Sequence, residues 1–147
     1  MQLKAQIQND LKAAMKSRDN LRTMTLRGVL TAVTLLEKDL RREANQDEIL
    51  QVIKRERARR DETLEFARKA GRQDLVEQNE TEAGILDSYL PAALTADELA
   101  AAIDEQLSAG ASQMGPVMKA LRERYGARLD GKLASEMVRQ ALAAKSG

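Results

Sequence analysis

The 147-residue chain contains neither cysteine nor histidine. Without cysteine there are no disulfide bonds and no thiol nucleophile, and without histidine the side chain that most often acts as a general base near neutral pH is missing. Nearly every zinc site uses one of these two residue types, so a zinc site is excluded as well. We therefore predict no catalytic residues, no cofactor and no bound metal ion.

Long apolar runs are absent too. No stretch approaches the roughly 18 apolar residues of a membrane-spanning helix, and the N-terminal sequence MQLKAQIQND has no apolar run of the secretory type. The formal net charge is only +1, so bulk charge alone does not attract nucleic acid. These features predict a cytoplasmic protein without a membrane partner, in which any nucleic-acid binding depends on a local patch.

Aromatic residues are scarce: Phe66, Tyr89 and Tyr125 are the only ones. Sequence-specific recognition of single-stranded nucleic acid relies on aromatic side chains that stack on bases. We predict that these three side chains belong to the core, so this kind of recognition is not expected.

Apolar residues recur at intervals of three and four almost throughout the chain, without the alternation typical of strands. This pattern predicts an all-α protein. The first helix should end near Arg18, and Asp19 or Asn20 should cap the second, which ends at Arg41 and Arg42. The apolar stripe of the first helix comprises Leu3, Ile7, Leu11 and Met15, and that of the second comprises Leu26, Val29, Leu30, Val33, Leu36 and Leu40.

Capping residues, glycines and a proline indicate where the helices in the middle of the chain begin and end. Asn45 with Glu48 predicts a capping box for a long third helix that ends at Gly71. A fourth helix should include Tyr89 and Leu90 and stop at Pro91. A second capping box, Thr95 with Glu98, predicts a fifth helix that ends at Gly110.

The run SQMGPVMKALRERYG, residues 112–126, places Gly115 and Pro116 inside a helical pattern. Proline is tolerated in the first turn of a helix, so this run marks a helix start. Either Ser112 or Gln113 is the N-cap, with Pro116 at the third or fourth helical position, or Gly115 is the N-cap and Pro116 follows it. In both cases Gly115 would allow a neighbouring backbone to come close.

After a turn or helix start at residues 129–132, a last helix completes the chain. We predict an N-terminal helical domain of residues 1–91 and a small three-helix tail domain of residues 95–147. Residues 92–111 carry four acids and no base, whereas residues 112–147 carry seven bases and three acids. This asymmetry indicates an anionic partner for the tail.

The run KRERARR, residues 54–60, is the most basic stretch of the sequence. On a helix its bases spread around the whole circumference, and Arg57 with Asp61 and Glu65 with Lys69 form i,i+4 pairs. This favours a solvated helix with surface ion pairs over a nucleic-acid site.

Several separated motifs resemble a known family. MGPVMKAL followed by LDGKLASEMVRQAL is similar to the tail domain shared by the GatB/YqeY family. The upstream segments LKAAMKSRDNLRTMTLRGVL, ARKAGRQDL and ILDSYLPAALTADEL resemble the N-terminal part of free-standing YqeY-like proteins. The resemblance runs from about Leu3 to Leu142. Gln113 stands where the family pattern usually has an acid, and Pro116 where a base is common.

The resemblance implies partners. In the B subunit of the glutamine-dependent tRNA amidotransferase, a tail of this kind contacts the body of the tRNA, so tRNA and an amidotransferase or another translation-related protein are the implied partners. The unbalanced charge and this resemblance together predict an RNA-binding set in the tail: Lys119, Arg122, Arg128, Lys132 and Arg139.

The family also carries the label of a carbon–nitrogen ligase with glutamine as amide donor. Glutamine hydrolysis needs an activated nucleophile, and carboxylate phosphorylation needs a nucleotide and metal site. Neither constellation is visible in the sequence. We predict a non-catalytic accessory protein that binds tRNA or another structured RNA. The alternatives are a protein-interaction module that uses the third helix or the N-terminal helices, and a genuine ligase subunit.

Overall fold

The computed structural model describes residues 2–146, and in this part of the chain it contains α-helices, one 3₁₀ turn and no strand. The predicted all-α class is confirmed. The helices are α1 Gln2–Lys16, α2 Asn20–Leu40, α3 Gln46–Lys69, α4 Gln73–Asp87, α5 Ala96–Ser108, α6 Met114–Tyr125 and α7 Gly131–Ser146, with the 3₁₀ turn at Gly126–Arg128 between the last two.

The helices form two compact units, which we call unit 1, up to Leu90, and unit 2, from Pro91 onward. The exact domain bounds predicted from the sequence, 1–91 and 95–147, stay a prediction. Unit 1 contains α1 to α4 and unit 2 contains α5 to α7.

The core of unit 1 is built from the predicted apolar stripes of its helices. Its fully buried large side chains are Ile7, Leu26, Val29, Val33, Ile49, Ile53 and Leu86. One member of the predicted stripe of α1 is wrong, because Met15 is 49 % exposed and Ala14 is buried instead. Met15 belongs to the last turn of α1, where a small shift in helix rotation decides which neighbour faces inward.

The helix starts in unit 1 use the predicted caps. Of the two candidates for α2, Asp19 is the N-cap, and its carboxylate accepts a hydrogen bond from the backbone N–H of Arg22 at 3.1 Å. Asn45 and Glu48 form the predicted capping box of α3. At the end of α3, Ala70 is the C-cap and Gly71 follows with φ +68°, so the predicted end is displaced by one residue.

The end of α4 differs from the prediction. The α-helix stops at Asp87 rather than continuing through Tyr89 and Leu90 to Pro91. The residues after Asp87 form tighter turns with bonds between residues three apart. The N–H of Tyr89 donates to the carbonyl of Leu86, and the N–H of Leu90 donates to the carbonyl of Asp87, both at 3.1 Å. Proline disfavours helical backbone in the residue before it, so α4 unwinds ahead of Pro91.

Helices α3 and α4 form a hairpin whose outer end has a small core of its own. Leu64, Ala67 and Val76 are buried there. Between Ile53 and Leu64, α3 contributes no buried residue.

Ion pairs span this gap in the hairpin core. Arg60 contacts Glu82 at 2.9 Å and Glu56 at 3.4 Å, and Arg57 contacts Asp87 at 2.8 Å. The predicted i,i+4 pairs of α3, Arg57 with Asp61 and Glu65 with Lys69, are present, so the interpretation of KRERARR as a helix with surface ion pairs is confirmed. The pairs between α3 and α4 were not predicted.

The aromatic side chains divide between core and surface. Tyr89 and Tyr125 pack partly buried against the cores of their units, as predicted. Phe66, in contrast, is 67 % exposed, so its predicted place in the core is wrong. It lies on the face of α3 that points away from the hairpin partner, next to buried Ala67.

Unit 2 is a three-helix arrangement around its own core. Thr95 and Glu98 form the predicted capping box of α5, and Gly110 follows that helix with φ +104°. The buried side chains of the three helices are Leu99, Ala102, Ile103, Leu107, Val117, Met118, Leu121, Ala134 and Val138. The core leaves one side of α6 and one side of α7 facing solvent.

Candidate nucleic-acid interface

The start of α6 decides between the two interpretations of its Gly-Pro pair. Gln113 is the N-cap, with extended backbone at φ −126° and ψ 146°, and Pro116 is the third helical residue. Its missing N–H therefore falls among the four amides that have no partner within the helix. The side chain of Gln113 makes no capping hydrogen bond. Apart from its chain neighbours and the adjacent backbone of α6, no described atom lies within 4 Å of the place a Cβ would take on Gly115, so the expected close approach of another backbone is not seen within residues 2–146.

The basic flank of α6 is exposed as predicted. Val117, Met118 and Leu121 are buried, whereas Lys119 and Arg122 face solvent. The two cations are three residues apart, a spacing that puts them side by side on a helix. Glu123 is exposed next to them and reduces the local positive charge.

Two further cations lie on α7. Asp130 precedes this helix, and its carboxylate accepts hydrogen bonds from the N–H groups of Lys132 and Leu133, each at 3.1 Å. Lys132 and Arg139 are both exposed and seven residues apart, so they share one face two turns apart. Glu136 lies between them on that face and is also exposed.

Arg128 occupies a different environment from the other predicted RNA contacts. Its Nε donates to the carbonyl of Ala92 at 2.9 Å, and its guanidinium lies 3.7 Å from Glu98. Its own carbonyl accepts from the N–H of Leu94 at 2.9 Å. Arg128 thus ties the segment before α5 to the turn after α6, and an RNA phosphate would compete with these acceptors.

Two other bases of the tail are also used within unit 2. Arg124 pairs with Glu105 at 3.0 Å and stacks 5.4 Å from the ring centre of Tyr125. The hydrogen bond that Arg124 donates to Glu105 raises the pKa of Arg124 above its ordinary value. Lys145 donates to the carbonyl of Leu107 at 3.0 Å. Neither contact was predicted from the sequence.

The structure thus divides the seven bases of the tail. Arg124, Arg128 and Lys145 have partners inside unit 2. Within residues 2–146 the side chains of the other four form no ion pair or hydrogen bond: Lys119, Arg122, Lys132 and Arg139. Such side chains can meet a phosphate without giving up an internal partner, so these four form the candidate interface.

The described residues contain neither a cluster of metal ligands nor a helix able to cross a membrane. No group of three or more acidic side chains between residues 2 and 146 could hold a metal ion. None of the helices described is long and apolar enough to cross a membrane. The phenol of the partly buried Tyr89 donates to Asp10, and partial burial together with this hydrogen bond raises the pKa of Tyr89 above its usual range. That pair joins the turn after α4 to α1 and leaves the phenol protonated.

Comparison with protein families shows which family the chain belongs to. The family described as Yqey-like protein matches residues 4–142. The chain belongs to the YqeY-like family. The match covers both units and leaves out only the ends of the chain.

Among curated proteins, the chain is similar to members from two yeasts. Both are called altered inheritance of mitochondria protein 41, mitochondrial. The Kluyveromyces lactis protein is 39 % identical over 90 residues, covering 58 % of this chain and 46 % of the relative. The Lachancea thermotolerans protein is 36 % identical over 109 residues, covering 71 % of this chain and 55 % of the relative. The chain spans about half the length of these relatives, and since both are mitochondrial by name, the predicted cytoplasmic location stays a prediction.

Proposed function

We propose that this YqeY-like protein is a non-catalytic accessory protein whose tail binds tRNA or another structured RNA. The observation that carries the proposal is the set of four exposed cations without internal partners: Lys119, Arg122, Lys132 and Arg139. The resemblance of residues 114–142 to the tail domain of the amidotransferase B subunit supports tRNA as the ligand. An amidotransferase or another translation-related protein would then act on the same RNA.

The chemistry of the surface favours contacts with phosphates over contacts with bases. Tyr125, the one aromatic residue of unit 2, is half-buried and lies under Arg124, so it offers no stacking platform. Exposed Lys and Arg side chains neutralise phosphates and release counterions, which makes affinity fall steeply with salt. Glu123 and Glu136 lie beside the four cations and limit the number of phosphates that can approach.

This proposal is tested by tRNA binding at several salt concentrations. Replacing Lys119, Arg122 and Lys132 by Ala should weaken binding of the full chain to unmodified tRNA. The slope of log affinity against log salt should flatten by roughly 0.7 to 0.9 for each phosphate that the variant no longer neutralises. Fluorescence anisotropy between about 50 and 200 mM salt covers the range in which such effects are resolved.

A matched control removes three cations from unit 1. Lys12, Lys16 and Lys38 are exposed, and their side chains have no ion-pair partner within residues 2–146. Their joint replacement by Ala should change affinity and slope much less, although it removes the same charge. The proposal fails if the wild-type chain has no salt-dependent affinity for tRNA, or if both triple variants weaken binding equally.

A further inference from the structure

A groove runs between α2 and α3 in unit 1 and encloses about 550 Å³. Its floor is apolar and comes from Ala32 and Leu36 of α2 and Val52 of α3. Leu35 forms one edge, is 59 % exposed, and also borders a second depression between α1 and α2. A single exposed leucine is ordinary on a protein surface, so its neighbours decide what it means.

Two more exposed apolar side chains lie along the same pair of helices. Phe66 is 67 % exposed and stands one turn beyond Glu62, which lines the groove, so both lie on one stripe of α3. Met24 is 67 % exposed and precedes Leu35 by eleven residues, a spacing that places both on one face of α2. Three of the five large apolar side chains exposed within residues 2–146 therefore lie on the two helices that form the groove.

The rim of the groove carries charges in a defined order. Asp39 lies near the end of α2, where the chain turns into α3, and the rim then continues along α3 through Arg55, Arg59 and Glu62. Along the groove, these four exposed charges are negative, positive, positive and negative. Glu56 also lines the groove, but its side chain is only 12 % exposed and pairs with Arg59 and Arg60. Arg59 makes one contact of 3.2 Å with Glu56, and the other three have no ion-pair partner in the described part of the chain. The rim is therefore available to charges from outside.

The length of the stripe fits one helix. Val52 and Phe66 are fourteen residues apart on α3, which corresponds to roughly 21 Å, or about four helical turns. A ligand of this length with one apolar face would cover Leu35 and Phe66 together. RNA fits less well, because its phosphates would meet the carboxylates of Asp39 and Glu62 at both ends of the rim.

We propose that the α2–α3 groove binds an amphipathic helix of a protein partner whose flank carries charges in the order basic, acidic, acidic, basic. Its apolar face packs on Leu35 and Phe66, as in other helix-in-groove complexes. Its two acids face Arg55 and Arg59, and its terminal bases face the two carboxylates, which fixes the register. This site lies in unit 1 and is separate from the RNA-binding surface proposed for unit 2.

Two synthetic helical peptides of about sixteen residues test the proposal. Both carry the same apolar face; one has the flank order basic, acidic, acidic, basic, and the other has the opposite order. By fluorescence anisotropy, the full chain should bind the first peptide at least about tenfold more tightly. Leu35→Ala and Phe66→Ala should each weaken that binding about tenfold, since truncated anchor side chains dominate such interfaces.

Changing the charges of Arg55 and Arg59 provides the more specific test. The double variant Arg55→Glu, Arg59→Glu should abolish the preference, because each peptide then meets two charges of opposite sign and two of the same sign on the rim. Because Arg59→Glu puts a carboxylate beside Glu56, a second variant, Arg55→Ala with Arg59→Ala, avoids this repulsion and should reduce the preference to the part that Asp39 and Glu62 contribute. Circular dichroism and thermal unfolding establish that each variant is folded.

Matched controls separate the groove from other surfaces. Leu133→Ala alters another exposed leucine, in unit 2, and should leave peptide binding unchanged. The tail variant of Lys119, Arg122 and Lys132 should also bind the peptide normally, so failure of the RNA proposal leaves this test intact. The proposal is overturned if neither peptide binds, if both bind equally, if tRNA displaces the peptide, or if Leu35→Ala instead abolishes self-association of the chain.

Discussion

Glu48 serves two partners at the start of α3. Its Oε1 accepts a hydrogen bond from the N–H of Asn45 at 2.9 Å, and its two carboxylate oxygens accept from Arg42 at 2.8 and 2.9 Å. The hydrogen bonds from Arg42, followed by that from Asn45, lower the pKa of Glu48 to about 2. A single carboxylate thus links the end of the α2–α3 loop to the first turn of α3.

The sign of the shift predicts how Glu48 affects stability. A carboxyl group with a lower pKa in the folded state stabilises the fold above its unfolded pKa, about 4.3, and this contribution is lost as the pH falls through the folded value. Glu48→Gln should therefore lower the free energy of unfolding at pH 7, and the difference from wild type should shrink between about pH 4.5 and pH 2. Glutamine can still accept from the Asn45 amide, so the change isolates the Arg42 pair.

Urea unfolding at pH 7, 4 and 2.5 measures this difference. Glu77→Gln is the matched control, because Glu77 is exposed and its side chain has no ion-pair partner within residues 2–146. Its effect on the free energy of unfolding should not vary in the same way with pH. A Glu48→Gln difference that is equally large at pH 7 and pH 2.5 would contradict the assigned role.

At the scale of the element, two neighbouring helices of unit 2 begin in different ways. Thr95 Oγ1 accepts from the N–H of Glu98 at 3.1 Å, whereas Gln113 offers α6 no side-chain cap. Thr95→Ala should lower the free energy of unfolding of unit 2 by about 1 kcal/mol. Gln113→Asp should raise the free energy of unfolding of unit 2 by roughly 0.5 to 1 kcal/mol. The new carboxylate can accept hydrogen bonds from the unpaired amides of the first turn, and its negative charge interacts favourably with the helix dipole.

Chemical denaturation of the full chain, monitored by a spectroscopic probe placed in unit 2, measures both changes in the free energy of unfolding. Gln113→Ala is the control and should change stability little, since it removes no capping bond. Equal effects of Thr95→Ala and Gln113→Ala would mean that the capping box contributes nothing.

Helix identity and most helix starts could be predicted from the sequence because they depend on local interactions. Asp19, Asn45 and Thr95 cap their helices through amides only three residues away. The early end of α4 was missed because Pro91 also restricts the helical backbone ahead of it, and not only at its own position. The exposure of Phe66 could not be predicted, since apolar spacing indicates a stripe but not how far the partner helix extends beneath it.

The candidate site was predictable in part for the same reason. The exposed flank with Lys119 and Arg122 follows from helix geometry alone. The internal role of Arg128 depends on Ala92, which is 36 residues away in the sequence. Similarly, Arg57 had a local partner in Asp61, and nothing local indicated its second partner, Asp87.

At the scale of the whole molecule, the proposed accessory function predicts that the chain does not hydrolyse glutamine by itself. A serine nucleophile needs a neighbouring base, and the sequence has no histidine to provide one. The purified full chain should therefore release no ammonia from glutamine in a coupled glutamate dehydrogenase assay, with an active glutaminase as positive control. Turnover by preparations free of contaminating amidotransferase would contradict the accessory function and support the alternative of a genuine ligase subunit.

The gap between the two cores of the α3–α4 hairpin has a consequence for local opening. Its outer end is held by three buried residues, and half-buried ion pairs connect it to the main core of unit 1. Segments with few buried apolar contacts open more often than the rest of a fold. We therefore expect the amide protons around Leu64 and Val76 to exchange with solvent before those around Ile49 and Ile53. Because salt screens the connecting charges, we expect the two ends of α3 to unfold less cooperatively at high ionic strength.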